Sequence, residues 1–270
     1  QYRALKADID QGIQSVIEST SFILGAPVTE LENKLAEYVG RKYCVSCGNG
    51  TDALQMSLMT WGIGPGDAVF AADFTYFASA GTTSILGGTP VLVDIDLDTF
   101  NMSPEALEAS IQKVIAEGKL RPKAIVPVDL FGLPADYTRI LPIAKKYGLK
   151  VLELEAVNRV AGWYTERLKE RFKTPVIPAG FYSSWAQYTI LLNSKEERDA
   201  MQKHLKNAGI PSMVYYPRGL HQQAAYQWMN LTDAFYPNTV EATKRVLSLP
   251  MHPYLAEDAV DAIAKVLLSK

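Results

Sequence analysis

Residues 64–96 read GPGDAVFAADFTYFASAGTTSILGGTPVLVDID, and their pattern of turns and apolar runs indicates the class of fold. After a Gly-Pro-Gly-Asp turn, the apolar run Ala68–Ala72 predicts a buried strand and Ala78–Leu86 predicts a helix. Gly87-Gly88 breaks that helix, and Pro90–Asp94 has the composition of a second buried strand. A strand, a helix and a further strand in this order predict a right-handed crossover between two parallel strands.

The same alternation continues on both sides of this stretch. Upstream, a short strand at Tyr43–Cys47 precedes the turn Gly48–Asp52 and a helix that runs through Leu58. Downstream, the pattern predicts a helix opening at Ser103-Pro104, a strand at Ala124–Val128, a helix at Ile140–Tyr147 and a strand at Lys150–Glu153. Such alternation is typical of an α/β domain whose mainly parallel sheet is covered on both faces. Sheets of this kind bind their ligands at the carboxyl ends of the strands.

Two helices are predicted ahead of these elements. Residues 4–18 have a helical pattern, and the capping box Thr29/Glu32 predicts the start of a second helix, which ends near Gly40. The chain begins at Gln1 without an initiator Met, so we expect the natural N-terminus to lie upstream.

The alternation fails after Glu153. The run Val151-Leu152-Glu153 reads as a strand, yet Leu154–Ala161 already has a helical pattern, and no Gly, Pro, Asn or Ser separates the two. A connection between a strand and a helix normally takes about 2–6 residues and ends in a helix cap. The junction is therefore either an unusually tight turn or the point where two distant segments are joined. We favour the second interpretation, in which a central segment is missing after Glu153.

Beyond the junction the elements are shorter and of mixed type. The patterns predict a long helix through Phe172, a strand at Ala186–Leu192, a helix capped by Ser194 and Glu197, a strand at Met213–Tyr216, and helices near 239–247 and 256–268. We therefore predict two domains, an incomplete large domain over residues 1–153 and a smaller α+β domain over residues 154–270.

Composition excludes several classes of protein. The formal net charge is −2 and no Lys/Arg-rich block occurs, which argues against a nucleic-acid or membrane-surface partner. No apolar run approaches the roughly 18 residues that a membrane-spanning helix needs. The two cysteines of the chain are few enough to fit a reducing cytoplasm.

These cysteines, Cys44 and Cys47, have C-x-x-C spacing. The spacing is compatible with a redox pair or with half of a zinc site. It is equally compatible with two small apolar residues at the end of a strand, since cysteine is often buried. There is no second cysteine pair, and the three histidines lack ligand spacing, so we favour the structural interpretation and predict no metal site.

Two stretches have the character of a binding site. The turn Gly48–Asp52 lies between a predicted strand and a helix, where free backbone N–H groups and the helix dipole attract anions. Glycine is common in such turns for steric reasons alone, and neither a dinucleotide-binding nor a Walker A motif is present. At the end of the next strand comes Asp73-Phe74-Thr75-Tyr76. Tyr76 is either a core aromatic residue or a platform on which a flat cofactor stacks.

Taken together, these motifs resemble the DegT/DnrJ/EryC1/StrS family of sugar aminotransferases. The matching stretches occur in the family's order and cover almost the whole chain: Gly48–Leu54, Gly64–Asp67, Phe74–Tyr76, Pro90–Asp96, Ile125–Val128, Leu130–Gly132, Pro134–Asp136, Tyr216-Pro217 and Ser248–Pro253. The resemblance implies a fold-type I aminotransferase with pyridoxal 5′-phosphate as cofactor. It is strongest to the branch that aminates 3-keto sugars linked to uridine diphosphate, for surface polysaccharides.

The resemblance also implies roles for particular residues and partners. Gly50, Thr51 and Asp52 would bind the cofactor phosphate, and Tyr76 would stack on the cofactor ring. The residues implied for the sugar nucleotide are Phe22, Ile23, Tyr215, Tyr216 and His221, partly across the interface of a homodimer. Where this chain has Tyr215 the family often has His, which puts a phosphate contact there in doubt. The implied amino donor is glutamate, and the implied location is the cytoplasm.

The chain departs from the family at the catalytic centre. In the family an Asp that pairs with the pyridine nitrogen follows the strand ending at Glu153, and the catalytic Lys comes several strands later. Neither has a counterpart here, and both would fall inside the break. Three alternatives remain open: a non-catalytic protein that binds sugar nucleotides, a sugar dehydratase with His in place of the Lys, and an unrelated nucleotide-binding enzyme such as a dehydrogenase. The missing dinucleotide motif argues against the last.

Overall fold

A computed structural model describes residues 2–152, 161–178, 183–251 and 255–269. The chain divides into two compact units, Gln1–Ala53 and Leu54–Lys270, which are considered separately below. The predicted junction between Glu153 and Leu154 lies outside the described residues, as does His252.

The first unit is helical. It contains a single turn at Tyr2–Ala4, the helices α1 (Lys6–Ser19) and α2 (Ala26–Tyr38), and the start of α3 (Gly50–Thr60). The predicted capping box at Thr29/Glu32 is wrong, because α2 has Gly25 as its N-cap and a proline in its first turn, so Thr29 lies inside the helix. Glu32 instead accepts hydrogen bonds from the backbone N–H of Ser46, at 2.8 Å, and from its hydroxyl, at 2.7 Å.

The predicted strand at Tyr43–Cys47 does not form in the described structure, where these residues pair with no other strand. A strand needs a neighbour to take up its backbone hydrogen bonds, and the pattern of single residues cannot supply one. Apolar side chains of this unit are unusually exposed. On α1 no residue is buried, and three isoleucines at intervals of four residues, Ile9, Ile13 and Ile17, face outward.

The second unit is built around a parallel sheet. Its strands are β1 (Asp67–Ala72), β2 (Thr89–Val93), β3 (Arg121–Val126) and β4 (Lys150–Val151), in the order β2-β1-β3-β4. Every pairing between neighbours is parallel, as the alternation predicts. All six residues of β1 are buried, which agrees with the apolar run Ala68–Ala72 that follows Asp67 in this strand.

Three helices connect these strands: α4 (Ala78–Ile85), α5 (Pro104–Glu117) and α6 (Tyr137–Tyr147). Their ends are encoded locally. Ser103 caps α5 by accepting a hydrogen bond from the Ala106 N–H at 3.2 Å, and Gly118 ends that helix with a φ of 63°. The prediction of an α/β fold is therefore confirmed.

The rest of the second unit forms a smaller layer. It contains α7 (Ala161–Leu168), β5 (Tyr188–Leu191), α8 (Lys195–Asn207), three short 3-10 helices at 220–222, 224–229 and 233–235, α9 (Pro237–Arg245), β6 (Val246–Leu249) and α10 (Glu257–Leu268). Strands β5 and β6 pair in antiparallel fashion. A separate core lies here, made of residues between Tyr164 and Leu267.

Two predictions for this layer need correction. The predicted helix over residues 239–247 ends at Arg245, because the following residues pair with β5 instead. The predicted strand at Met213–Tyr216 makes only an isolated bridge between Met213 and Ser248. The capping residue Ser194 is confirmed, since its hydroxyl accepts from the Glu197 N–H at 3.2 Å. Among the described residues, no helix is long and apolar enough to cross a membrane.

Candidate active site

The turn after β1 separates buried from accessible aromatic residues. Phe74 is fully buried and packs against the rings of Phe100, Phe131 and Tyr216. Tyr76, two residues later, is 52% exposed at the carboxyl end of the strand. Phe74 is therefore the aromatic residue of this turn that packs in the core. The Tyr76 ring is accessible to a ligand at the carboxyl edge of the sheet, where parallel sheets bind their ligands.

A second aromatic pair lies beside this turn. The Tyr216 ring meets Phe74 edge to face with centroids 5.7 Å apart, and the Tyr215 ring is 5.8 Å from that of Tyr216. Burial raises the pKa of Tyr216 to about 12, and the nearby phenols of Tyr215 and Tyr76 add to this rise. The three tyrosines that the sequence analysis assigned to cofactor and substrate are thus grouped within one unit.

Tyr215 also borders an open cavity of about 250 Å³. The other residues that line this cavity include Gln187, which directly precedes β5, together with Ser248 of β6 and Met251. Gln187 presents its side-chain oxygen to the Ser248 hydroxyl at 3.3 Å, so the wall is polar on one side. Sequence reasoning did not identify Gln187 or Ser248, because their proximity depends on the pairing of strands far apart in the chain.

His221 has a different environment from the one implied for a substrate-binding residue. It is 5% exposed, and its Nδ1 lies 2.5 Å from Asp73 Oδ2 while its Nε2 lies 2.9 Å from Asp233 Oδ1. Both ring nitrogens are therefore occupied by carboxylates of the protein. In the described structure His221 has no free nitrogen to offer a ligand.

In the first unit, the turn ahead of α3 is organised by Asn49. Its side-chain oxygen accepts from the Asp52 N–H at 3.0 Å, and its amide nitrogen donates to the Asp52 carboxylate at 3.0 Å. The backbone N–H groups of Gly50 and Thr51 have no hydrogen-bond partner among the described residues. Two free N–H groups at the positive end of a helix are suited to an anion such as a phosphate.

The remaining predicted contacts of this unit are exposed. Phe22 and Ile23 lie in the loop before α2 and are 67% and 87% exposed. Cys44 and Cys47 are both free thiols, and the Cys47 Sγ lies 3.2 Å from the Asn49 backbone oxygen. Among the described residues, no group of three or more potential ligands could hold a metal ion.

These features fit part of the implied cofactor. The N–H groups of Gly50 and Thr51 suit its phosphate, and the exposed ring of Tyr76 suits its pyridine ring. The described residues do not supply the catalytic amine. A lysine that acts as nucleophile must be desolvated or placed beside a suitable base. None of the buried residues in the described part of the chain is a lysine.

Comparison with known proteins gives a consistent result. The profile described as the DegT/DnrJ/EryC1/StrS aminotransferase family matches residues 3–158 and 154–268. The chain is 33% identical to UDP-2-acetamido-2-deoxy-3-oxo-D-glucuronate aminotransferase of Pseudomonas aeruginosa, over 99% of this chain and 97% of that protein. It is 30% identical to UDP-N-acetyl-3-dehydro-alpha-D-glucosamine 3-aminotransferase of Acidithiobacillus ferrooxidans, over 98% and 94%.

A solved structure agrees with these relatives. The chain superimposes on the crystal structure of a DegT DnrJ EryC1 StrS aminotransferase from Brucella abortus with a TM-score of 0.92. The two chains are 34% identical, and the superposition covers 100% of this chain and 96% of the other.

The alignments also bear on the junction. The alignment with the Pseudomonas aeruginosa protein runs over 361 positions, whereas this chain has 270 residues, so at least 91 positions hold no residue of this chain. The two matches to the family profile meet at residues 154–158. Both observations agree with a central segment that is missing close to Glu153.

Proposed function

Because this chain belongs to the DegT/DnrJ/EryC1/StrS aminotransferase family, we propose that it derives from an enzyme that aminates a 3-keto sugar linked to uridine diphosphate. Aminotransferases of this family depend on pyridoxal phosphate. The observation that carries the proposal is the group formed by Tyr76, Tyr215 and Tyr216 at the carboxyl edge of the parallel sheet. The two relatives act on 3-oxo UDP-sugars, which supports this substrate class.

The residues of this chain would bind and orient the cofactor. The N–H groups of Gly50 and Thr51 would hold the phosphate, with the Asp52 carboxylate kept in place by Asn49. Tyr76 would stack on the ring. When bound, pyridoxal phosphate supplies an electron sink that makes the proton on the amine-bearing carbon easier to remove.

Among the residues that the structure describes, none is placed to act as the base that moves this proton. The lysines of the described residues are solvent-accessible, and several are engaged in surface ion pairs, such as Lys146 with Glu108 at 2.6 Å. The resemblance places the catalytic lysine in the missing segment. We therefore assign amino transfer to the polypeptide with this segment in place and cofactor and substrate contacts to the residues present.

Tyr215 and Tyr216, beside Tyr76 in the second unit, are the proposed contacts for the sugar nucleotide. The family resemblance also implies Phe22 and Ile23, whose exposed side chains offer apolar contact area in the first unit. We propose glutamate as amino donor and the cytoplasm as location. A homodimer would cover the exposed isoleucines of α1, because contiguous apolar surface of this kind often marks a protein interface.

The proposed division at residue 153 has support from the packing of the C-terminal part. One complete hydrophobic core is made only of residues between Tyr164 and Leu267, around the β5–β6 pair. A core of its own is a mark of an independent domain. The proposal is a large cofactor domain over residues 1–153 and a small domain over residues 154–270.

The dehydratase alternative has no support in the described histidines. His221 is enclosed by two carboxylates. The Nε2 of His204 lies 3.2 Å from the Val266 backbone oxygen on α10. A histidine that replaces the catalytic lysine would lie in the missing segment, where the resemblance places that lysine.

The proposal is tested by restoring the central segment of the Pseudomonas aeruginosa relative between Glu153 and Leu154 and supplying pyridoxal phosphate, glutamate and a UDP-linked 3-keto sugar. We expect an aminated sugar nucleotide and 2-oxoglutarate in equal amounts, and neither product from the 270-residue chain. Replacing the lysine of the restored segment by alanine is the control. A restored protein that binds the cofactor but aminates no UDP-sugar would contradict the proposed substrate class.

A further inference from the structure

Asp73, His221 and Asp233 form a hydrogen-bonded cluster next to the tyrosine group. Asp73 is fully buried at the end of β1, His221 is 5% exposed, and the Asp233 side chain is 63% exposed. The imidazole lies between the two carboxylates, with contacts of 2.5 Å to Asp73 and 2.9 Å to Asp233. A buried charged residue at the end of an apolar strand needs such partners.

The two carboxylate contacts favour the protonated form of His221. An ionised carboxylate only accepts hydrogen bonds, and a neutral imidazole has one N–H donor. With Asp73 and Asp233 both ionised, both contacts are hydrogen bonds only when both ring nitrogens carry a proton. Burial raises the pKa of Asp73, and the hydrogen bond and charge of His221 act against this rise. Burial by itself lowers the pKa of His221, but the hydrogen bonds and charges of Asp73 and Asp233 outweigh it, and the net pKa is raised.

Other groups face this cluster from neighbouring elements. The Tyr236 ring stacks on the imidazole with centroids 4.5 Å apart, and Asp94 at the end of β2 acts on Asp73 through its charge. Lys244 on α9 lowers the pKa of Asp233, although less than Gln222 and His221 do. With His221 protonated the cluster contains three carboxylates and two cations, and loss of that proton raises the excess of negative charge from one to two.

The cluster joins two segments that bear the candidate ligand contacts. Asp73 lies three residues before Tyr76, and His221 lies five residues after Tyr216. The backbone takes part as well, because the Leu220 N–H donates to the Asp73 backbone oxygen at 2.8 Å. The His221 N–H donates to Asp73 Oδ1 at 2.7 Å. A displacement of residues 219–222 from Asp73 would therefore move the tyrosines relative to each other.

We propose that protonated His221 is a positioning residue that clamps residues 215–222 onto the turn at residues 73–76 and so fixes Tyr215 and Tyr216 relative to Tyr76. The proposal deepens the proposed function, since that function assigns these tyrosines to substrate and cofactor. His221 itself touches neither. Its effect depends on pH, because the contact to Asp233 is lost when the second ring nitrogen loses its proton.

The sign of the effect follows from the raised pKa. The clamp is complete at pH values below the ordinary histidine pKa of about 6.5 and opens as the pH rises through the raised value. In Asp233→Asn, the hydrogen bond at Nε2 no longer requires a positively charged His221, because the amide can donate to an unprotonated Nε2. Asp233 is exposed, so this variant should fold. Asp8→Asn, at an exposed position on α1, is the control for loss of one surface carboxylate.

The first measurement is an NMR titration of the histidine ring protons in the 270-residue chain, assigned with single His→Gln variants. We expect the midpoint of His221 to fall by at least about one pH unit in Asp233→Asn, since the contact to an opposite charge is removed. The midpoint should be unchanged in Asp8→Asn. An unchanged midpoint in Asp233→Asn would overturn the proposal.

The second measurement tests whether His221 holds the two segments together or only contacts Asp73 and Asp233 locally. Hydrogen exchange, corrected for the intrinsic effect of pH, should show residues 73–77 and 215–222 losing protection together as His221 deprotonates. In Asp233→Asn this loss should no longer follow pH. If only one segment responds, or if neither does, the clamp does not exist. Neither measurement depends on catalysis, so a failed amination assay does not contradict the clamp. In the same way, absence of the clamp would not contradict the proposed amino transfer.

Discussion

At the scale of single residues, the contrast between Phe74 and Tyr76 determines which aromatic ring is available. The two are separated by Thr75, which is itself buried, yet Phe74 is fully enclosed while Tyr76 is half exposed. The turn after β1 therefore directs one ring into the core and leaves the other at the edge of the sheet. The exposed ring is the one that the family resemblance assigned to the cofactor.

Tyr76→Ala should weaken binding of pyridoxal phosphate by several-fold to about tenfold, because stacking contributes about 0.5–1.5 kcal/mol beyond the buried area. The cofactor absorbance, titrated in the protein with its central segment in place, measures the loss. Tyr38→Ala, which removes a tyrosine that is 79% exposed on α2, is the matched control. Equal loss in both variants would remove Tyr76 from the cofactor site.

Gly219 lies at a position where the packing leaves no room for a Cβ atom. A Cβ at this position would lie 2.6 Å from Asp73 Oδ2 and 2.9 Å from His221 Nδ1. We expect Gly219→Ala to lower the free energy of unfolding by about 1–3 kcal/mol, as overpacking of a closed site does.

Denaturant unfolding measures this change, with Gly12→Ala on α1 as control. A Cβ at Gly12 meets nothing within 4 Å, and alanine is favoured over glycine within a helix by about 0.5–1 kcal/mol. The control should therefore be neutral or stabilising. If both variants unfold alike, the packing around Gly219 is looser than described.

At the scale of secondary-structure elements, helix ends differ in how well their sequence predicts them. Ser194 lies at the residue before α8 and its hydroxyl bonds the Glu197 N–H. Thr29 has a similar motif, but it lies inside α2, which begins at Ala26. The proline at position 27 favours this earlier start, because its fixed φ and missing N–H suit the first turn of a helix.

This difference predicts that replacing Ser194 and replacing Thr29 by alanine will change the free energy of unfolding by unequal amounts. Ser194→Ala should destabilise the protein by about 1 kcal/mol, since it leaves a helix N–H unsatisfied. Thr29→Ala should cost less than about 0.5 kcal/mol, or stabilise α2, because alanine has the higher helix propensity. Thermal or denaturant unfolding of the two variants makes the comparison. A larger loss for Thr29→Ala would show that the capping box forms after all.

At the scale of the whole molecule, the two units leave unfinished surfaces. Residues 43–47 have strand composition without a strand partner among the described residues, and β4 has only two residues. The isoleucines of α1 are exposed. Each feature is unusual in a finished domain, where strands are paired and apolar faces covered. Together with the alignments, they are consistent with a missing central segment.

The protein purified from its own gene should therefore exceed 29.8 kDa. The excess should correspond to at least the 91 alignment positions without a counterpart, and peptide mapping should locate it between Glu153 and Leu154. Intact mass spectrometry decides the matter. A mass equal to that of the 270 residues would mean a true internal deletion, and the non-catalytic binding protein would become the better interpretation.

The sequence by itself determined the parallel sheet, the helices that cover it and the rim where the tyrosines lie. These follow from local patterns, since runs such as Ala68–Ala72 and turns such as Gly64–Asp67 carry their information within a few residues. The family resemblance likewise rested on short motifs in a constant order. Neither the cofactor site residues nor the domain boundary has been tested, and both stay predictions.

Contacts between residues far apart in the chain follow only from the tertiary structure. Asp73 and His221 are 148 residues apart. The first two residues of β6, which the local pattern predicts as the end of a helix, pair with β5. A local pattern records whether a residue is apolar and at what interval it recurs, but not which distant residue will satisfy its polar atoms. The family resemblance implies His221 as a substrate contact, and in the structure this residue is the buried partner of two carboxylates.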